Sequence, residues 1–124
     1  MSKIVINSNI KSNSTNEILN NKKAIMKDDK ISYQDAGINT SINVKKEEIT
    51  LIRENDEMKI TLKFKKDKKI NSFYEIKDLK LKIEVMVDTK TLSITNNSIK
   101  INYDLYMNGE FSDNFNYNLE WRDL

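Results

Sequence analysis

The chain has no cysteine, no histidine and no proline, and its 124 residues include only two glycines, Gly37 and Gly109. Without cysteine, disulfides and thiolate zinc sites are excluded outright. Without histidine, the chain lacks the commonest general base, the commonest metal ligand and the one side chain whose unperturbed pKa lies near neutrality. With so little glycine and no proline, turns must rely on Asn and Asp, which tolerate left-handed backbone and bond to it locally. An excess of one charge is missing too. Lys and Arg number 21 against 19 Asp and Glu, a net charge of +2 that gives no large field to steer nucleic acid or an anionic membrane. Long apolar runs are absent: Ile4-Val5-Ile6 falls far short of a signal-peptide core, and nothing later reaches membrane-spanning length. The expected location is cytoplasmic, with no membrane partner, and Asn13, Asn39 and Asn96 then fit the glycosylation pattern only through Asn and Ser abundance.

What is present is alternation. Ile99, Ile101, Tyr103, Leu105 and Met107 occupy every second position, and after Asn108-Gly109 so do Phe115, Tyr117, Leu119 and Trp121, with Phe111 ahead of them. Successive side chains of a strand face opposite sides of a sheet, so this period marks strands with one buried and one wet face. The same pattern places Ile31 with Tyr33, Ile42 with Val44, and Ile49 and Leu51 with Arg53. It continues through Met58, Ile60, Leu62 and Phe64, then through Leu79, Leu81, Ile83, Val85 and Val87, with a turn expected at Thr89 to Thr91 before Leu92 and Ile94. Several strands at short, even spacing with short connections point to one all-β antiparallel domain over residues 1–124, an up-and-down barrel or sandwich rather than βαβ units.

Asn16 to Met26 is ambiguous. Ile18-Leu19 and Ile25-Met26 lie seven apart, which fits a helical stripe capped by Thr15 and slightly favours helix, yet the same residues could form a bulged strand. The Asn108-Gly109 hairpin poses a register problem. A two-residue loop would set the two apolar rows on opposite faces, whereas a three-residue loop, Met107 to Gly109 with a G1 bulge, sets Leu105 against Phe111, Ile101 against Phe115 and Ile99 against Tyr117. The bulged loop is therefore expected, with Asp113 on the apolar face opposite Tyr103.

From Lys30 to Trp121 the sequence resembles the YwiB-like family of bacterial proteins, a domain of unknown function. The matching stretches are Ile49-Thr50-Leu51-Ile52-Arg53, Tyr74 followed by Asp78-Leu79-Lys80-Leu81-Lys82, Ser98 to Leu105, and the closing strand to Trp121. The family tends to carry glycine at the positions of Asp78 and of Asn55 or Asp56. The resemblance implies a calycin-like, lipocalin-related closed barrel of about eight strands, a size whose interior is filled by side chains or holds one small ligand. It implies strands rather than a helix before Lys30, and no established activity.

Arg53 shares a face with Ile49 and Leu51 and aims into the barrel. It could clamp a carboxylate or phosphate in a bidentate fork, or cap loop carbonyls, or pair with Asp113. Tyr74, Tyr103 and Tyr117, with Trp121, could wall a pocket with apolar rings and polar tips, or be plain core. Asp113 is then a ligand contact, the counter-ion of Arg53, or a solvated rim group. Carboxylates are plentiful but none is set apart by spacing, and no serine or threonine has a histidine base, so no catalytic residue, metal site or cofactor is expected. The favoured reading is a non-covalent binder of a small, anionic, partly apolar ligand. One alternative is a filled barrel that works as a protein-interaction or assembly module through Met86 and Tyr106. Another, weaker, is single-stranded nucleic-acid binding through Lys63, Lys65, Lys66, Lys68 and Lys69, a run whose interleaved ring, Phe64, faces the opposite way from Lys63 and Lys65. Oligomeric state and ligand identity are not legible in the sequence.

Overall fold

A computed structural model describes residues 1–124, and between Ser2 and Asp123 all of them are in strands or the tight connections between strands. The strands are β1 (Ser2–Lys11), β2 (Asn16–Lys27), β3 (Lys30–Asp35), β4 (Ile38–Lys45), β5 (Glu48–Glu54), β6 (Met58–Lys65), β7 (Lys69–Ile76), β8 (Leu81–Ile94), β9 (Ser98–Met107) and β10 (Glu110–Asp123). Each pairs antiparallel with its sequence neighbours, and β1 pairs with β10, which closes an up-and-down barrel of ten strands rather than about eight. The difference matters physically. Barrel diameter grows with strand number, and ten strands enclose more space than side chains alone readily fill.

Asn16 to Met26 is the bulged strand, not a helix. Ser8 pairs with Leu19 but Ile6 pairs with Lys22, so Asn20 and Asn21 together oppose Asn7. Asn21 takes a positive φ of 53°, and its amide donates to the Asn7 side-chain oxygen at 2.9 Å. The bulge shifts the inward parity from Glu17 and Leu19 to Lys22 and Ala24, which destroyed the period-two signal and left Ile18 and Ile25 exposed.

The last hairpin also corrects the expectation. Asn108 and Gly109, with φ of 52° and 78°, form a two-residue loop in which Met107 pairs with Glu110. The apolar rows are rescued further along, where Ser112 bulges out: Phe111 pairs with Tyr106, but Asp113 pairs with Leu105, Phe115 with Tyr103 and Tyr117 with Ile101. Phe111 consequently points outward and is exposed. Asn and Asp do not carry the turns alone, since Ala36, Glu47 and Lys80 also adopt positive φ. Leu79 lies in the exposed connection before β8 instead of starting its inward row.

Thr89 to Thr91 is not a turn either. β8 runs through it with Lys90 as the extra residue of a bulge, since Thr89 pairs with Tyr103 and Thr91 with Asn102. The Lys90 ammonium bonds Asp88 at 2.8 Å and lies 3.8 Å from Asp104, separating two carboxylates that stand directly opposite each other. The Thr89 backbone is satisfied by Asp67 and Lys68, but its hydroxyl is the one buried side-chain polar atom without a partner. Thr89→Val keeps the shape and removes that orphan. It is expected to raise unfolding stability by about 1 kcal/mol, read as a higher urea midpoint at unchanged slope.

The inward rows divide the lumen into two unlike halves. Ile4, Ile6, Ile31, Ile42, Ile49, Phe64, Val87, Ile99 and Leu119 fill one end and are fully buried. Towards the β1–β2, β3–β4, β5–β6, β7–β8 and β9–β10 connections Glu17, Tyr33, Thr40 and Arg53 join the apolar inward residues, and cavities open between them.

Candidate functional site

The polar half of the lumen is built from cross-strand neighbours. Tyr33 pairs with Thr40, Thr40 with Arg53, Arg53 with Ile60, and Ile60 with Tyr74, so a single row across β3 to β7 carries two tyrosines, a threonine and the arginine. A second row, Glu17, Ile10 and Tyr117, comes from β2, β1 and β10. The two approach each other at this end of the barrel, where the Arg53 Nη1 lies 3.6 Å from the Glu17 Oε2. That separation is too long for a hydrogen bond.

Two cavities adjoin this pair and share Ile10, Glu17, Leu51 and Arg53 in their walls. One, of about 360 Å³, is mainly apolar, with Ile60, Leu62, Tyr74, Val85, Tyr103, Leu105 and Phe115 around it. The other, of about 350 Å³, is more polar and touches Ser8, Tyr33, Asp35, Thr40 and Tyr117. The floor of the apolar cavity is an aromatic layer: Tyr103 stacks on Phe115 with centroids 5.2 Å apart and leans on Phe64 at 4.8 Å. A broader hollow of about 720 Å³ opens at the opposite end. Lys46, Glu47, Lys66 and Asp67 ring it with mixed charge, and no group converges on a common point there.

Burial pushes the phenols of Tyr103 and Tyr117 far above their ordinary value, and no hydrogen bond offsets it in either. Burial also raises Tyr33, against the opposing pull of the Thr40 hydroxyl and the Arg53 charge. The guanidinium acts on all three phenols in the same sense. One guanidinium and the phenols of Tyr33, Tyr103 and Tyr117 therefore lie around the same space, with the Glu17 carboxylate at its edge, an arrangement that can receive an anion.

Of the residues singled out in the sequence, Arg53, Tyr74 and Tyr103 face the apolar cavity, and Arg53 and Tyr117 the polar one. Asp113 is not brought to Arg53. It is buried at the rim, where its carboxylate accepts from the Ser14 hydroxyl at 3.0 Å and from the Asn114 amide at 2.8 Å. Trp121 is not brought there either. It pairs with Ile6 and packs half-buried against the filled end. Sequence reasoning missed Tyr33, Thr40 and Glu17. Tyr33 and Thr40 could have been found by carrying the register from Arg53 across two hairpins; Glu17 could not, because the bulge at Asn21 hides its parity.

Asp113 ties the β1–β2 connection to β10. The Ser12 hydroxyl foremost, then the Asn114 amide and the Ser14 hydroxyl, hold its carboxyl below the usual range against the effect of burial. A lowered folded-state pKa stabilises at pH values above the unfolded one, and that contribution disappears as pH falls through the folded value. Amides of Ser12 to Thr15 are thus expected to lose hydrogen-exchange protection as the solution is acidified below about pH 4, the ordinary carboxylate value, before the barrel core does. Asp113→Asn should show the same local loss at neutral pH.

The sequence profile of the family described as Domain of unknown function (DUF1934) matches residues 6–119. The chain belongs to the DUF1934 family. The match spans both cavity walls, from Glu17 to Tyr117, and stops short of Trp121. Among solved structures, this DUF1934 chain is similar to the crystal structure of ywiB protein from Bacillus subtilis, with a TM-score of 0.57 and 16% identity over 95% of this chain and 89% of that one. At that identity the likeness speaks for the closed β-barrel fold alone. No curated protein matches the chain.

Proposed function

We propose that this DUF1934 barrel is a non-covalent binder of one small amphipathic anion, in the manner of a calycin-type barrel. The ligand's charged group sits on Arg53 and its apolar part lies among Leu62, Val85, Leu105 and Phe115. One observation carries the reading: an inward guanidinium with no hydrogen-bonded protein carboxylate stands at the edge of an apolar cavity of about 360 Å³. A cavity of this size is within the range of small-molecule sites. Arginine's planar fork suits a carboxylate or phosphate, and the largely desolvated Tyr103 and Tyr117 hydroxyls add donors beside it.

The competing readings draw less support. A filled interior is the premise of the assembly-module reading, and the polar half of the lumen is not filled. Met86 and Tyr106 do sit side by side on the outer face, with Phe111 edge-on to Tyr106 at 5.9 Å. For nucleic acid, Phe64 is buried, Lys65 pairs across strands with Glu48, and the outward Phe73 ring is capped by the Lys82 ammonium at 4.0 Å.

The test is calorimetric titration with octyl phosphate, octanoate, octanol and octylamine. Both anions are expected to bind one per chain, octanol more weakly and the amine not at all. Equal binding of all four, or of none, removes the proposal.

A further inference from the structure

The ring of strands is poorly sealed at one seam. β2 pairs with β1 along its length, but only Ile25, Met26 and Lys27 pair with β3. From Asn16 to Ala24, β2 has no backbone ladder to the facing Tyr33–Asp35 stretch, so the barrel is splayed there. The more polar cavity lies at this slit, between Ile18 and Leu19 on one lip and Tyr33, Asp35 and Ala36 on the other. Side chains alone tie this arm of β2 to the β3–β5 side of the lumen: Lys22 reaches Asp35 at 3.3 Å, and Glu17 reaches Arg53 at 3.6 Å. The Asn20-Asn21 bulge sits between those two ties, where the ladder to β1 is also interrupted.

Glu17 is more than half exposed, and its carboxylate approaches the guanidinium without a hydrogen bond. A loosely held carboxylate on the ligand's own cation is a competitor.

We propose that the slit between β2 and β3 is the entrance to the Arg53 site, and that Glu17 guards it by occupying Arg53 until a ligand anion replaces it. The proposal rests on the reading of the barrel as an anion binder. It adds a route and a selectivity device: an anion must outcompete Glu17 for Arg53, so a neutral amphiphile gains nothing from the exchange. Because exposed ion pairs are weak, the barrier to displacement is small, and the gate sets a threshold on ligand charge without blocking access.

Octyl phosphate and octanol titrated into the wild type and Glu17→Gln test the competition. The variant is expected to bind octyl phosphate roughly five-fold more tightly, the upper end for an exposed pair, and octanol as the wild type does. Unchanged or weaker octyl phosphate binding in Glu17→Gln, with wild-type binding intact, overturns the gate and leaves the binder standing. Binding by neither protein removes both.

The route is tested separately. Since the chain has no cysteine, Lys22→Cys with Asp35→Cys can be bridged cleanly by a short bismaleimide. Bridging is expected to slow octyl phosphate association at least ten-fold relative to the same variant capped with a monofunctional maleimide. Equal association rates would place the entrance elsewhere.

Discussion

Phe64→Ala should lose about 3–5 kcal/mol of unfolding free energy, the range for deleting a large aromatic ring from a packed interior. Phe64 is completely buried, pairs with Ile49 across β5 and β6, and carries the Tyr103 ring at 4.8 Å. A domain of this size typically has about 5–15 kcal/mol in total, so the loss would be a large share of the whole. The position also joins the two halves of the lumen, because Phe64 belongs to the filled end while Tyr103 and Phe115, next in the aromatic layer, face the cavity. Removing the ring therefore leaves space directly beneath the cavity floor. If Tyr103 drops into it, the stability loss moves to the low end and octyl phosphate binding weakens as well. If Tyr103 stays, the loss moves to the high end and binding holds. Urea unfolding with titration on the same variant separates the two, and a loss under about 1 kcal/mol would contradict a packed interior at Phe64.

Fold class was legible because the strongest signal, period-two alternation, survives wherever a strand is regular. β5, β6 and β9 show it without interruption, and their inward rows run as the sequence implies. The helix expected over Asn16 to Met26, the turn expected at Thr89 to Thr91 and the three-residue loop expected at Met107 to Gly109 all fall at a bulge or a turn. One extra residue reverses the parity of all that follows, at Asn20-Asn21, at Lys90 and at Ser112, while the sequence there offers no glycine or proline to mark the change. In the last hairpin the choice between a three-residue loop and a two-residue loop with a later bulge is invisible to the apolar pattern, since both bring the rows to one face. The turn chemistry of Asn108-Gly109 decides it.

Site legibility follows the same rule. Arg53, Tyr74 and Tyr103 stand on regular stretches, so their inward direction could be read; Glu17 stands beyond a bulge, so it could not. Trp121 illustrates the opposite failure. Its side is legible but its height along the barrel axis is not, because height depends on how the strands are staggered, and the stagger carries Trp121 to Ile6 and the filled end. Alternation gives one coordinate of a side chain in a barrel, and the bulges and closure supply the other.

Arg53→Met is expected to weaken anion binding roughly a hundred-fold or more while changing the barrel's stability by no more than about 1 kcal/mol. The two halves of that statement come from different terms. For stability, the Arg53–Glu17 pair is partly exposed and lacks a hydrogen bond, so its loss costs within about 1 kcal/mol, and methionine fills the same lumen without a charge to desolvate. For binding, hydrogen bonds to a charged group are worth about 1.5–3 kcal/mol, so losing a two-pronged contact should weaken octyl phosphate by roughly a hundred-fold or more. Octanol, which never used the charge, should bind as well or better. Arg53→Lys should fall between, because the ammonium keeps the charge but not the planar fork. A drop of several kcal/mol in Arg53→Met would mean that the arginine is scaffolding, holding the splayed wall of β2 to β5. Retained octyl phosphate affinity in a stable Arg53→Met would place the anion elsewhere, and the tyrosine row would then be core whose hydroxyls merely reach the cavity.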